Sequence, residues 1–287
     1  MSVPRATIFR IISFSLVAGD VFQTIPATLE MYMKNWNERR LSATCFFYAV
    51  TRYLSVISLV SNGYAAFSTS FTPESCKKYY MLPNVTALVA VMAIQVLVYI
   101  RTLAISGQSK YVRYGMGLLM LLGFPVQTFG IVYHRDPSFN NGTCKGKVLR
   151  AGEPDWNIVY YSAHMAFDLV AVVTATTYLV LISLSSYTGG MLRFSKLVKM
   201  ILRDGLLYFV VVFAVNLWVV MEFAHVFTTG ATSTLPLAVE LIAAQHLILS
   251  TQRLAQTGAH SGSSIPNDQR RASPIPPADV AFASGPG

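Results

Sequence analysis

Apolar residues run along this chain in long blocks, separated by short polar segments where most of the charge collects. Seven blocks stand out: Ile8 to Leu29, Ala43 to Phe67, Val85 to Ile105, Tyr114 to Tyr133, Ile158 to Leu184, Leu206 to Phe227 and Leu235 to Leu254. A helix rises about 1.5 Å per residue, so roughly 20 apolar residues cover the roughly 30 Å of bilayer hydrocarbon. None of the blocks shows the one-sided 3.6-residue polarity of a helix lying on a water-facing globule. The pattern predicts an all-α membrane protein: a seven-transmembrane-helix bundle over residues 1–256, then a disordered cytoplasmic tail over residues 257–287. The tail follows from composition, since Ser, Pro, Gly and Ala without apolar periodicity cannot build a core.

Composition agrees, with 53% hydrophobic and only 12% charged residues leaving little for a wet surface. The net charge of +9 does not point to nucleic acid, because Lys and Arg sit at the ends of the blocks instead of forming one face. Basic loops beside anionic headgroups explain them, so membrane lipid is the expected partner. A cleaved signal peptide is the alternative for the first block, with Arg5 ahead of it and Val17-Ala18-Gly19 as a faint cleavage site. Arg10 inside the block and apolar residues on to Leu29 speak for a retained helix.

Charge also suggests a direction. With the N-terminus outside and the C-terminus cytoplasmic, the inner segments and tail hold Lys34, Arg39, Arg40, Arg101, Lys110, Arg113, Arg193, Lys196, Lys199, Arg203, Arg253, Arg270 and Arg271, more positive charge than the outer ones. The glycosylation sequons at Asn84 and Asn141 then fall on the outer side; Asn141, farther from a block end, is the better acceptor. Cys76 and Cys144 fall there too, where an oxidising lumen would allow a bridge that ties the long loop over the bundle. Three independent thiols are the alternative, and Cys45 lies at the inner end of the second block. These features imply an integral protein of the plasma membrane or secretory pathway.

Between the fifth and sixth blocks, Arg193, Lys196, Lys199 and Arg203 recur every three or four positions beside an apolar face. Such a stripe, with Arg101, suits a cytoplasmic signalling protein or lipid headgroups, or is only an inner helix extension whose charges snorkel. Ser273, after Arg270-Arg271, is a phosphorylation candidate whose added charge would loosen any hold on anionic lipid.

Ionisable groups at membrane depth are costly and are by default paired or functional. Counting along the blocks brings Asp20 and Arg52 to the same depth, which predicts an intramembrane ion pair fixing the register of two helices. A second group comprises His164 and Asp168, Glu222 and His225, and Glu240 with His246 below it. The spacings of three and four place each of the first two pairs on one helical face. Together the six residues predict an acidic, imidazole-bearing cavity open to the outside, or else a set of satisfied interhelical hydrogen bonds. No metal is implied, since no two histidines share a ligand spacing on one helix. No cofactor is implied either, and a retinal Schiff base has no amine because no Lys occurs in any block.

Asp20, Glu30 and Trp36, Arg52-Tyr53, Cys76, Arg101, Arg203-Asp204-Gly205 leading into Tyr208-Phe209 and Asn216, and Arg253 form an ordered set along the chain. In that order they resemble a family of seven-transmembrane integral membrane proteins abundant in mushroom-forming (basidiomycete) fungi, of the domain-of-unknown-function type. The resemblance implies a receptor-like topology and no particular activity. The Cys76 and Cys144 positions are also similar to those of the bridge in rhodopsin-like receptors. Arg101 follows Tyr99-Ile100 with no acidic residue before it, and the last block lacks Asn-Pro-x-x-Tyr, so the likeness to that class is one of fold alone. Two function classes follow. A receptor or sensor would bind a small-molecule ligand in the outer cavity and move the basic segment against an inner partner; a carrier or channel would pass a small solute or protons along Asp168, Glu240 and His246. A membrane hydrolase has less support, for want of a nucleophile and base pair.

Overall fold

A computed structural model describes residues 5–37, 42–133, 136–140, 142–146, 156–187, 192–224, 226 and 234–262. Side chains are described for fewer, ending at Leu181 in one helix, beginning again at Tyr208 in the next, and ending at Ser250. The elements are α1 (Arg5–Asn37), α2 (Ala43–Phe67), α3 (Pro73–Tyr79), α4 (Leu82–Ile105), α5 (Lys110–Val132), β1 (Pro137–Asn140), β2 (Thr143–Gly146), α6 (Asn157–Tyr187), α7 (Leu192–Phe223) and α8 (Leu235–Gly262). The protein is an all-α bundle with one small hairpin.

Among the described residues, five helical segments are long and apolar enough to cross a membrane: Thr7–Asn37, Ala43–Phe67, Pro73–Ile105, Lys110–Val132 and Asn157–Leu181. Tyr208–Phe223 and Leu235–Ser250 are shorter apolar helices. By contacts the chain divides into Met1–Leu249, which holds the bundle, and Ser250–Gly287. In the second unit the backbone is helical through Gly262, past the end of the last apolar block at Leu254, and later residues, Ser273 included, lie outside the described ones.

The polarity of α1 is inside out relative to a soluble helix. Ser13, Val17, Asp20, Thr24, Thr28 and Met31 are buried and recur every three or four residues, whereas Ile8, Ile11, Ile12, Leu16, Phe22, Ile25, Leu29 and Met33 are exposed. Polar groups inward and aliphatic ones outward is the arrangement lipid selects. It also qualifies the sequence-based statement that no block has a one-sided polarity: the polar stripe exists, but it faces the core.

Small residues let neighbouring helices approach. On α2, Ser55, Ser58, Ser61 and Gly63 are buried, as are Ala90 and Ala93 on α4. Helix α2 packs along α4, with the Ser58 hydroxyl donating to the Pro83 carbonyl at 2.7 Å. Helix α4 also meets α5 and α6, α6 meets α5 and α7, and α1 meets α2. A Cβ on Gly130 of α5 would stand 2.9 Å from the Tyr160 backbone nitrogen and 3.0 Å from the Trp156 carbonyl oxygen, so only glycine admits this α5–α6 approach. Side-chain bonds from α8 to α1, α6 and α7 close the ring.

One end of the bundle is capped. Thr72 and Ser75 form a reciprocal capping box that starts α3, with Pro73 in its first turn. The hairpin pairs Asn140 with Thr143, and Gly142 adopts φ 77°, a conformation glycine takes without strain. Its carbonyl accepts from Phe71 N at 3.1 Å, and the expected Cys76–Cys144 disulfide joins β2 to α3. Cys45 is a buried free thiol. Asn84, bonded through Nδ2 to the Tyr80 carbonyl, is at this same end; Asn141 lies outside the described residues.

Candidate functional site

Two buried polar networks cross the bundle. The first centres on Arg52 of α2. Its Nη1 lies within hydrogen-bonding distance of Thr24 Oγ1 (2.8 Å), Thr28 Oγ1 (3.0 Å), the Tyr48 hydroxyl (3.1 Å) and Gln245 Oε1 (3.3 Å), and Nη2 donates to the Val21 carbonyl at 2.8 Å. Asp20 does not pair with it. The Asp20 Oδ1 contacts His246 Nε2 at 3.0 Å, and the His246 ring stacks on Tyr208 at 5.9 Å between centroids. The predicted Asp20–Arg52 ion pair is therefore corrected: depth was shared, but rotation about α1 turns Thr24 and Thr28 toward Arg52 and Asp20 toward α8. Neutral oxygens disperse the guanidinium charge in place of a carboxylate.

The second network centres on His164 of α6, which is 1% exposed. Its Nε2 stands 3.2 Å from Asp168 Oδ2, one turn along the same helix, and 3.0 Å from Glu240 Oε1 of α8. It makes no linear hydrogen bond to either and instead sits between two carboxylates. On the other ring face, Gln95 Nε2 lies 2.9 Å from Nδ1, and Gln127 Nε2 donates to Gln95 Oε1 at 3.3 Å. A donor at Nδ1 leaves the neutral ring's proton on Nε2, facing the acids. Asn216 Nδ2 of α7 donates to Glu240 Oε1 at 2.9 Å. Five helices thus contribute to one cluster.

The cluster is short of positive charge. The charged groups acting on Asp168 are His164 and Glu240, so two carboxylates share one imidazole. Beside it lies a cavity of about 100 Å³. Glu240, 4% exposed, lines it together with Tyr160, Tyr161, Phe223, Asn62 and Thr234. Its polar rim, which also includes Asn84 and Asn157, belongs to the bundle end that carries the disulfide.

The structure therefore brings together three of the six cavity candidates: His164, Asp168 and Glu240. His246 belongs to the Arg52 side of the bundle, with its side chain 38% exposed. Glu222 is partly buried on α7 and does not line the cavity; His225 lies outside the described residues. Glu222 and His246 stay out of the cavity because residue counting fixes height along a helix and not the direction a side chain faces. Arg193, Lys196, Lys199 and Arg203 fall on the first turns of α7 as a continuous helix, but their side chains lie outside the described residues. Arg101, near the end of α4, has a buried Nη1 without a hydrogen bond among the described residues. Residue reading missed Gln95, Gln127, Asn216 and Tyr160 as members of the site; Gln95, alone among aliphatic neighbours, was the one legible signal. Among the described residues no group of three His, Cys, Asp or Glu side chains is arranged to hold a metal ion. In comparisons with known proteins, no family model and no curated protein matches the chain.

Proposed function

We propose that the chain is a seven-span integral membrane protein of receptor or sensor type, with its N-terminus outside and its C-terminus cytoplasmic. The observation that carries this reading is the Glu240-lined cavity at the disulfide-bearing end, backed by a buried cluster drawn from five helices. A ligand there touches α2, α4, α6, α7 and α8 together, so it can favour one packing of the bundle over another. The basic start of α7 lies at the opposite end of a helix whose last residue, Phe223, lines the cavity. Charge asymmetry and the Cys76–Cys144 bridge support the same direction of threading. Sequons introduced singly at Gly190 and near Asn141 test the threading: glycan is expected only at the second. Narrowing the cavity with Ala87→Trp tests the site, and ligand-dependent change at the inner end of α7, read by a spin or fluorescent label, should disappear in that variant.

One observation favours a carrier as the second reading. Thr51, Ser55 and Ser58 are buried along α2, which runs from the Arg52 network to the cavity that Ser58 lines, and the hydroxyls of Thr51 and Ser55 have no hydrogen-bond partner among the described residues. Buried hydroxyls in such a row can hold a file of water. Solute or proton flux in proteoliposomes, abolished by Ser55→Val, would favour this reading over the first.

A further inference from the structure

We infer that the outer cavity takes a small cation, specifically a compound with a primary ammonium group and few heavy atoms, held by Glu240 and the hydroxyl of Tyr160. The inference rests on the cavity reading above and adds the ligand's charge and size.

Three independent features point to a cation. The acid cluster at the cavity floor has one imidazole against two carboxylates, and no Lys or Arg lines the cavity among the described residues. The hydrogen bond that Glu240 accepts from Asn216 falls on Oε1, the oxygen that also stands closest to His164, which leaves Oε2 as the oxygen a guest would meet. A donor arriving there supplies the charge the cluster lacks without displacing either existing contact.

The second feature is Tyr160. It is 6% exposed and lines the cavity together with Glu240. Its oxygen can accept from an ammonium, which carries three donors, while its proton is offered to a ligand hydroxyl or carbonyl.

The third is the aromatic wall. Tyr160 and Tyr161 pack edge to face at 4.9 Å, and Tyr161 stacks on Phe223 at 5.5 Å; all three line the cavity. Ring faces beside a carboxylate stabilise a cation over a neutral guest and disfavour an anion. Size sets the rest. A dry cavity of roughly 150 Å³ holds benzene, so a volume of about 100 Å³ admits a guest smaller than that, such as a two- or three-carbon amine.

The test uses the full chain in lipid nanodiscs, with ethylammonium, ethanol and acetate as matched probes of positive, zero and negative charge. Binding is read by saturation-transfer NMR and by the shift in unfolding temperature. Ethylammonium is expected to bind saturably in the millimolar range, with ethanol and acetate at least about tenfold weaker. Glu240→Gln should remove that preference, and Tyr160→Phe should weaken ethylammonium several-fold while leaving the unfolding temperature of the free protein nearly unchanged. Ala87→Trp should block all site binding. If Glu240→Gln does not fold, the Tyr160→Phe result with the probe series decides alone. Equal or stronger binding of ethanol or acetate, blocked by Ala87→Trp, overturns the cation while sparing the cavity. Ethylammonium binding that neither Tyr160→Phe nor Ala87→Trp alters places the cation elsewhere and overturns the inference. Absence of binding by every probe overturns both readings.

Discussion

The two polar networks use the same kinds of residue to opposite ends. Around Arg52, one positive group meets five oxygens from three helices, four of them on neutral side chains, and both terminal nitrogens are engaged. Around His164, one imidazole nitrogen meets two carboxylates and is aligned with neither, beside an open volume. The first arrangement is a pin. The second is a seat, because incomplete satisfaction next to a cavity is what a ligand can complete.

The comparison breaks most directly at Arg52. Replacing it with Met leaves Thr24, Thr28, Tyr48, Gln245 and the Val21 carbonyl without their shared donor, which should destabilise the bundle by about 3–5 kcal/mol. Unfolding by a denaturing detergent, followed by circular dichroism, measures it. A neutral or stabilising result would mean that the network is not a pin.

His246→Phe comes next. The ring keeps its face against Tyr208, but Asp20 loses the only hydrogen bond among described residues that its carboxylate makes, so a cost of about 1–3 kcal/mol is expected. Because His246 lies outside the cavity, probe binding there should be unaffected, and a change in it would join the two networks into one functional unit.

Glu240→Gln sharpens the contrast from the other side. The amide oxygen can still accept from Asn216 and stand beside His164, so the stability change should stay near about 1 kcal/mol, within the range of single interhelical bonds in membranes. A loss as large as that for Arg52→Met would make Glu240 a structural group.

How far these regions could be read in advance follows from what a sequence encodes. Block lengths located the helices well: Ala43–Phe67 is α2 end to end, and Leu235 begins α8. The α3 turn and the hairpin were not foreseen, since their signals, Thr72-Pro73 and Asn141-Gly142, lie in short polar segments between apolar blocks. Charges at depth announced that buried networks exist. They could not assign partners, because Asp20 and Arg52 share a height while their directions are set by how α1 rotates against α2 and α8. Uncharged amides such as Gln95 and Gln127 carry half of the His164 network, yet they cost less to bury than charges and so raise less suspicion.

The smallest effect belongs to Gln127. Its Nε2 makes one long bond to Gln95 at 3.3 Å, and its buried Oε1 has no partner among the described residues. Gln127→Leu loses a contact worth about 0.6 kcal/mol on average in a bundle of this type and simultaneously removes the cost of burying an unpaired oxygen. The two offset, and the net change should fall below about 0.6 kcal/mol. Gln95→Leu differs although it stands next in the same chain: it strips the donor from His164 Nδ1, frees the ring to adopt its other tautomer, and turns a lone pair in place of Nε2–H toward Asp168 and Glu240. Ethylammonium affinity should therefore change in Gln95→Leu and hold in Gln127→Leu. Equal responses would show that the glutamines fill space, and that the seat is formed by the two acids and Tyr160 without a fixed imidazole behind them.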